Sequence, residues 1–502
     1  FAGAPPAGGA SVGPLCGHES GGAGVEEAPD PRRWKALAVL GIAYLMVVLD
    51  VSIVNVALPS IQRDLAFAPE DLQWVVSGYA LTFGGFLLLG GRMGDLLGRR
   101  RLFMIGLALF AAFSLLCGFA TSDTMLIVAR VLQGAAAAIL APSVFSIVTV
   151  TFAEGAERNK ALGILGAIAG SGAAIGVLLG GVLTEYAGWE WIFYVNAPIG
   201  AIALALVPRV VRESRADGLA RSFDAAGAVV ITASLMMLVY ALTQANNNGW
   251  GSALTVGLLA GSAALLGTFV AVEMRQASPL VPLGFFRKRT PTGANIIGFG
   301  LGTMVFGMFY LLSLYMQDVL GYSALEAGVG YLAVALTAVL ASGVAQGLVT
   351  RLGVKPVLAV GMVLLGVGLL LFTQIAVDGT YAVHLLPGFL LVGVGLGFSF
   401  VPVSIAALAG VTPREAGLAS GLINTSQQIG GALGVAILTT VATTRFEGLV
   451  AGGHDPAGAA TAGYSLAFWV GVGFAVASLV ATLLLLRRRE LEALPAGAAP
   501  VG

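Results

Sequence analysis

One acidic residue lies in the middle of a long apolar stretch near the start of the chain. The stretch, residues 44–59, reads YLMVVLDVSIVNVALP, and Asp50 stands near its centre. Inserting a carboxylate at that depth of a bilayer costs roughly 2.5–3.5 kcal/mol even on a lenient scale, so ionisable groups there generally mark an ion or proton path. We therefore expect Asp50 to bind and release a proton. A purely structural role, in a hydrogen bond between packed helices, is the alternative.

A basic residue lies near the outer end of a later apolar stretch, where residues 130–134 read RVLQG. Arg130 and Gln133 are three residues apart and so share one face of a helix. An arginine inside a membrane needs a partner, and Asp50 is the nearest candidate in kind among the early apolar stretches. The sequence therefore predicts an Asp50–Arg130 pair. An arginine that extends to the outer lipid headgroups is the alternative.

Glycines and charged residues are interspersed in residues 91–101, which read GRMGDLLGRRR. The glycines of this segment are Gly91, Gly94 and Gly98. They permit a tight turn and a close approach of two helix ends. Asp95 can pair with Arg99 or Arg100, which would make the segment a charged latch that forms and breaks at the membrane surface. An ordinary basic loop with a glycine turn is the alternative.

A regular glycine pattern follows in residues 166–181, GAIAGSGAAIGVLLGG. Gly172, Gly176 and Gly180 recur at every fourth residue and leave one helical face with little beyond backbone. Such faces allow close helix–helix contact. We expect a tight contact between the two halves of the chain that seals a central cavity. Plain packing of neighbouring helices is the alternative.

Polar and aromatic residues in several of the apolar stretches could contact a bulky lipophilic ligand, because aromatic rings and methionine offer an adaptable surface. Uncharged polar groups inside a span also need a cavity or a partner helix. The predicted cavity residues are Tyr44, Met46, Tyr79, Gln133, Asn424 and Gln427.

All these residues depend on membrane-spanning helices for their positions. The chain has 502 residues, of which 57% are hydrophobic and only 10% charged, and its formal net charge is zero. Soluble proteins carry about 25% charged residues. The apolar runs are continuous rather than alternating, which predicts helices rather than a barrel. A span needs about 20 apolar residues, and by that measure the sequence contains fourteen spans, at 35–58, 71–90, 102–120, 124–150, 161–183, 191–208, 224–243, 253–273, 293–317, 327–349, 355–377, 381–409, 416–442 and 465–486.

The basic residues define the orientation and the division of the chain. With both termini inside, only Arg63 and Arg445 of the 26 Lys and Arg residues fall outside, apart from Arg130 within a span. This asymmetry is typical of the cytoplasmic face. We predict an all-α membrane protein of two six-helix bundles and two extra central helices, divided into a disordered cytoplasmic tail (1–33), an N-terminal bundle (34–208), a linker with the two extra helices (209–292), a C-terminal bundle (293–487) and a second cytoplasmic tail (488–502).

Other kinds of function find little support in the sequence. The three histidines are scattered without metal-ligand spacing, and the two cysteines do not form a disulfide framework. A membrane-embedded enzyme would need converging catalytic groups, yet His384 stands alone. No ATP-binding loop is present, so we expect no cofactor, no nucleic-acid partner and transport driven by a proton gradient.

Taken together, the motifs resemble the major facilitator superfamily, and within it the fourteen-span branch of drug:proton antiporters. Residues 49–59 resemble the first-span motif of this branch, which implies a proton-linked role for Asp50. Residues 130–134 resemble its proton-transfer motif, which carries the same role to Arg130. The remaining matches are residues 91–101 with the gating motif, the glycines of 166–181 with the antiporter motif, and residues 189–200 and 417–434 with further signatures of the branch.

Two positions depart from the family pattern. Val177 stands where the antiporter motif usually has proline, and Leu96 replaces a frequent arginine in the gating segment. The resemblance implies a monomeric, proton-coupled exporter of lipophilic drugs or antibiotics in a bacterial cytoplasmic membrane. Export of an endogenous lipid, siderophore or metabolite, or uptake of a solute by the same fold, is the alternative.

Overall fold

The computed structural model describes most of the chain outside its two ends. The described residues are 31–68, 71–152, 156–214, 225–276, 283–411 and 416–487, with residues 3, 279, 281, 490 and 491. The predicted tails lie almost wholly outside them.

Within these residues, the first half of the chain folds into nine α-helices. They are α1 Arg33–Asp64, α2 Trp74–Leu97, α3 Arg99–Gly118, α4 Asp123–Thr151, α5 Ala156–Tyr186, α6 Trp191–Tyr194, α7 Asn196–Val210, α8 Ala225–Asn248 and α9 Ala253–Arg275. The short α6 and α7 together cover one apolar span, Trp191–Val210.

The described part of the second half contributes six long helices and three short turns. The helices are α10 Arg289–Leu314, α11 Ala324–Leu352, α12 Val354–Phe372, α13 Leu386–Ala407, α14 Ala416–Ala451 and α15 Pro456–Leu485. A 3₁₀ turn at Leu283–Arg287 precedes α10, and π-helical turns lie at Tyr315–Val319 and Tyr381–Leu385.

The predicted spans are confirmed among the described residues. Twelve helical segments are long and apolar enough to cross a membrane, and α5 and α8 contribute two shorter apolar segments, Ile175–Tyr186 and Ala226–Leu242. The helices alternate in direction, so the starts of α3, α10 and α12 lie at one end of the molecule, which we call the basic face. Arg99, Arg289 and Lys355 lie there.

Side-chain caps mark helix starts at the end opposite the basic face. Ser122 accepts a hydrogen bond from the Met125 amide at the start of α4, and Asp455 accepts one from Gly458 at the start of α15. Ser323 and Glu326 form a reciprocal capping box on α11. Each of these side chains accepts a hydrogen bond from a backbone amide at the helix start, where amides have no partner within the helix.

The helices pack as two bundles. In the first, α2 and α3 pack on α4, and α1 packs on α5 and α7. In the second, α10 packs on α14, and α13 packs between α11 and α12. At the basic face, Arg33 of α1 donates two hydrogen bonds to Glu157 of α5, at 2.8 and 3.0 Å, and these hold the pKa of Glu157 below its ordinary value.

The two extra helices lie against one seam between the bundles. Ser234 of α8 and Ser262 of α9 exchange hydrogen bonds to each other's carbonyl oxygens, at 2.8 and 2.9 Å, which joins the pair. Helix α8 also packs against both α2 and α14. The fit against α2 is tight, because a Cβ atom at Gly85 would overlap the Thr232 hydroxyl oxygen. Helix α8 therefore lies over the α2–α14 seam at the periphery of the two bundles.

The bundles are joined toward the end opposite the basic face. Gln317 donates a 2.8 Å hydrogen bond from the second bundle to the Val56 carbonyl near the outer part of α1. On the α2–α14 seam, the Ser77 hydroxyl donates to the Ala432 carbonyl at 3.2 Å. On the α5–α11 seam, a Cβ atom at Gly328 would lie 2.6 Å from the Val177 carbonyl oxygen.

The same seam loosens toward the basic face. Ala335, two turns beyond Gly328 on α11, is 8% exposed, but Val339 on the same stripe is 43% exposed. A Cβ atom added at Gly343 would face open space, with no neighbouring atom of the described residues within 4 Å. Asn424 of α14 is also exposed. The α5–α11 seam is thus close at one end and more open toward the basic face, whereas the α2–α14 seam stays in contact there, because a Cβ atom at Gly421 would overlap the Leu88 side chain.

A pair of glycine substitutions on α11 tests this asymmetry. We expect Gly328→Ala to destabilise the protein by about 1–3 kcal/mol, because the new methyl group would press on backbone of α5 that cannot yield easily. Gly343→Ala should be neutral or slightly stabilising, because alanine favours the helix over glycine by about 1 kcal/mol. Thermal unfolding of both variants in detergent measures the difference. Equal melting temperatures would contradict the close contact at Gly328.

Candidate functional site

Asp50 lies on α1 with its side chain fully enclosed inside the first bundle. The side chain is 0% exposed. One carboxylate oxygen accepts a hydrogen bond of 2.6 Å from Arg130 Nη1. The other accepts hydrogen bonds from Gln133 Nε2 at 2.8 Å and from Asn196 Nδ2 at 3.2 Å. A buried charge is stable only when it is paired and hydrogen-bonded, and Asp50 meets both conditions.

Arg130 on α4 is enclosed just as completely, at 1% exposure. Besides Asp50, its guanidinium donates to the Val75 carbonyl at 3.0 Å and to Gln133 Oε1 at 2.8 Å. It also lies over the ring of Tyr79, 4.2 Å from the centroid. Cation–π contacts of this kind strengthen where water is excluded. The arginine therefore has attractive partners even without the carboxylate.

The motif at 130–134 explains how α4 reaches this position. Arg130 and Gln133 point the same way, as their spacing predicts. Gly134, one residue further on, lets α4 approach α2 closely, because a Cβ atom there would overlap the Tyr79 carbonyl oxygen. The Thr82 hydroxyl then bridges the two helices by donating to the Val131 carbonyl at 2.8 Å.

Three residues of the network were not predicted from the sequence. Asn196, at the start of α7, donates to both Asp50 and the Ser114 hydroxyl, the latter at 3.0 Å. Ser114 donates in turn to the Phe193 carbonyl at 2.9 Å, and the Cys117 thiol lies 3.4 Å from Gln133 Oε1. The available signal was an amide side chain within a predicted span, which needs a partner in the membrane.

This arrangement can hold one negative charge away from water. Arg130 supplies the counter-charge, and Gln133 and Asn196 donate hydrogen bonds to the second carboxylate oxygen. The Val75 carbonyl, Gln133 Oε1 and the Tyr79 ring hold the guanidinium in the same place.

The gating segment differs in part from its prediction. Helix α2 continues to Leu97, and the turn is confined to Gly98, whose φ of +107° favours glycine. Among the described side chains, the Glu213 carboxylate meets this turn and accepts hydrogen bonds from the backbone amides of Arg100 and Arg101, both at 3.1 Å. Glu213 thus caps the start of α3, where a negative charge is favoured.

The structure shows further contacts for some of the other residues in the gating segment. The Arg100 side chain also approaches Glu213, with Nε 3.9 Å from Oε2. The Arg99 amide donates to the Ser214 carbonyl at 3.0 Å. Gly91 lies within α2, where a Cβ atom would make an ordinary contact with Pro142. The side chain of Asp95 lies outside the described residues, so its predicted pairing stays a prediction.

The glycine face of α5 contacts a different helix from the one predicted. A Cβ atom at Gly172 would lie 2.7 Å from Val48, and one at Gly180 would lie 2.7 Å from the Ile53 carbonyl oxygen. Gly176 faces Ser52 in the same way, at 2.8 Å. All three partners belong to α1 of the same bundle. The prediction that these glycines join the two bundles is therefore wrong, because the neighbouring face of α5 makes that contact.

That neighbouring face carries Val177 and Gly181. The Val177 carbonyl faces Gly328, and a Cβ atom at Gly181 would lie 2.8 Å from the Ala324 carbonyl oxygen. Helix α5 runs unbroken past Val177, from Ala156 to Tyr186. It therefore lies between α1, which carries Asp50, and α11 of the second bundle.

The predicted cavity residues are divided between the interior and the surface. Met46, Tyr79 and Gln133 are buried in the first bundle, so they surround the ion pair rather than an open wall. Tyr44 is half-buried, with its ring edge-on to Phe145 at 5.2 Å. Asn424 is exposed and Gln427 is half-buried on α14. In this conformation, only the residues outside the interior can meet a ligand.

The sequence also matches a known family over most of its length. Residues 40–435 match the family described as the Major Facilitator Superfamily. The chain belongs to the major facilitator superfamily. This is a family of transporters, which confirms a multi-pass membrane transporter rather than an enzyme.

Relatives of this facilitator include proteins named for antibiotic resistance and export. It is 40% identical over 484 residues to the puromycin resistance protein pur8 of Streptomyces alboniger, with 95% of each chain covered. It is 41% identical over 409 residues to the cephamycin export protein CmcT of Amycolatopsis lactamdurans, covering 81% of this chain and 84% of the relative.

A solved structure shares the fold. A bacterial homologue of the human lysosomal transporter Spinster, in an inward-facing and unoccupied conformation, superposes with a TM-score of 0.67. The alignment covers 92% of this chain and 98% of the homologue at 15% sequence identity. It confirms the predicted major-facilitator fold.

A double-mutant cycle tests how strongly the facilitator depends on its ion pair. Asp50→Asn or Arg130→Gln alone leaves the opposite charge buried without its counterion, whereas the double variant removes both charges. We expect a coupling free energy of about 2–3 kcal/mol from detergent-induced unfolding. The pair Arg33–Glu157 is the control, and its coupling should be much smaller because Glu157 is 43% exposed. Additive effects at Asp50 and Arg130 would contradict the pairing.

Proposed function

We propose that this protein exports drugs, antibiotics or similar lipophilic small molecules in exchange for protons. The observation that carries the proposal is the enclosed carboxylate of Asp50, bonded to Arg130, Gln133 and Asn196 inside a transporter bundle. The names of the relatives, which refer to puromycin resistance and cephamycin export, support the substrate class. We further propose that it acts as a monomer in a bacterial cytoplasmic membrane.

The orientation follows from the charges. Because cytoplasmic loops are rich in Lys and Arg, we assign the basic face to the cytoplasm. The looser packing of α11 toward that face supports an entrance on the cytoplasmic side of the α5–α11 seam. A substrate would enter between the bundles from the cytoplasm or the inner leaflet, where Asn424 and the exposed part of α11 line its path.

The coupling mechanism begins at Asp50. A proton that arrives from the outer side neutralises the carboxylate and weakens its contact with Arg130, so α1, α4 and α7 can shift relative to one another. Release of the proton to the cytoplasm restores the contact. The cycle exchanges bound proton for substrate by alternating access.

Helix α5 provides a mechanical route from this carboxylate to the second bundle. Its glycine face lies directly on α1 at Val48 and Ser52, on either side of Asp50 in sequence. Its adjacent face lies on α11 through Val177 and Gly181. A shift of α1 therefore acts on a helix that touches both bundles. The glycine face leaves few side chains to resist such a movement.

The available driving force is adequate for export. One elementary charge crossing 100 mV supplies roughly 2.3 kcal/mol, and one pH unit supplies roughly 1.4 kcal/mol. Together they correspond to a concentration ratio of a few hundred-fold per proton, since every 1.4 kcal/mol is about a factor of ten.

Transport in everted membrane vesicles tests the proposal. The panel should include puromycin and a cephamycin, and a fluorescent dye should report the pH of the vesicle lumen. We expect substrate added to wild-type vesicles with an acidic lumen to cause proton release from the lumen, because each substrate molecule enters in exchange for a proton. Asp50→Asn should abolish that release, since an amide cannot carry the proton.

Asp64→Asn provides a matched control on the same helix. Asp64 lies at the end of α1 and accepts a 3.0 Å hydrogen bond from the Trp189 indole, away from the ion pair. Its variant should release protons as wild type does. Equal release from wild type and Asp50→Asn would overturn the coupling mechanism, and no substrate-dependent release from wild type with any compound would overturn the proposed antiport.

A further inference from the structure

A cavity of about 620 Å³ lies at the basic face of the second bundle, far from the ion pair. It is bordered by the 3₁₀ turn Leu283–Arg287, the start of α10 and the ends of α13 and α15. Nothing in the proposed transport cycle uses it. Its residues nevertheless combine charge, shape and position in a way that indicates a ligand.

Among the described residues, four cationic side chains and one carboxylate line this cavity. The cations are Arg287, Lys288, Arg289 and Arg487, and the carboxylate is Glu490. Arg487 and Glu490 approach only to 3.7 Å, and both are partly exposed, so their attraction is weak. The described lining therefore carries a net positive charge, which favours an anion.

Hydrogen bonds hold the walls in place. The Thr292 hydroxyl donates to the Phe286 and Lys288 carbonyls, at 2.9 and 2.8 Å, which fixes the 3₁₀ turn on α10. Arg289 Nη2 donates to the Leu484 carbonyl at 2.8 Å and so joins α10 to the end of α15. The Arg487 amide donates to the Thr290 hydroxyl at 3.2 Å. The cationic side chains therefore project from backbone segments that these hydrogen bonds hold in place relative to one another.

The membrane-facing part of the lining is apolar. Phe286, Ile296 and Leu485 contribute to it, and Ile296 is 50% exposed about two turns into α10. A small soluble anion would gain nothing from contact with this apolar surface. A molecule with both a charged head and a hydrocarbon tail would contact the cations and the apolar wall together.

We propose that this cavity binds the phosphate group of an anionic phospholipid from the cytoplasmic leaflet. Arginine and lysine bind phosphate through charge-assisted hydrogen bonds, and arginine can do so with two parallel bonds. Basic pockets between membrane helices on the cytoplasmic side are suited to anionic headgroups. The acyl chains would lie along Ile296 and Leu485. The same cations would also bind a soluble phosphate ion, so the test must distinguish the lipid from the free ion.

Native mass spectrometry of the purified full-length protein provides that test. The probes are phosphatidylglycerol, phosphatidylcholine and inorganic phosphate. The variant Arg287→Gln/Lys288→Gln removes two of the four cations that line the cavity and leaves the Arg289 bond between α10 and α15 in place. The control variant Arg212→Gln/Arg351→Gln removes two exposed arginines of the same face outside the cavity. Melting temperatures of both variants establish that they fold.

We expect wild type to bind phosphatidylglycerol more tightly than phosphatidylcholine. The cavity variant should lose at least about tenfold in affinity, the change expected from one or two lost charge-assisted bonds, while the control variant keeps the wild-type affinity. Inorganic phosphate that binds wild type as tightly as phosphatidylglycerol would overturn the lipid as the ligand. Equal binding of the two lipids, or equal losses in the two variants, would overturn the site.

Discussion

A carboxylate and a guanidinium that are both excluded from water constrain the whole first bundle. Either charge alone would be costly inside a membrane, so the surrounding helices must supply counter-charge and hydrogen bonds at fixed positions. Asp50 and Arg130 meet this requirement only because α1, α2, α4 and α7 converge on them. Gly134 allows α4 to approach α2 closely, since any side chain there would separate the two helices. The same helix contacts therefore determine both the packing of the bundle and the geometry of the ion pair.

Because the ion pair is enclosed, it is separated from the surface that we propose meets a substrate. The ion pair is enclosed within one bundle, whereas predicted cavity residues such as Asn424 are exposed on the second bundle. The proposed exchange of proton for substrate therefore requires a movement that connects the two places. Helix α5 has the necessary contacts, because it touches α1 with its glycine face and α11 with the face at Val177 and Gly181.

The fold and the central pair could be predicted from the sequence because their signals were local and strong. Long apolar runs specify spanning helices, and Asp50 and Arg130 stood out as charged residues within them. The partners of the glycine face could not be predicted, since glycine spacing shows that a helix packs closely but not on which neighbour. Asn196 and Glu213 were missed for a related reason: each acts on a helix distant in sequence, and neither stands in a pattern that names its partner.

Infrared difference spectroscopy of the purified protein tests most directly whether Asp50 gains and loses a proton. Spectra of wild type and Asp50→Asn, recorded over a pH titration in lipid, report the carbonyl absorption of protonated carboxyl groups. We expect the wild-type spectra to contain the band of one additional carboxyl group, which appears as the pH falls and is missing from the variant. Identical carbonyl bands in the two proteins at every pH would contradict it, because Asp50 would then remain ionised beside Arg130 throughout.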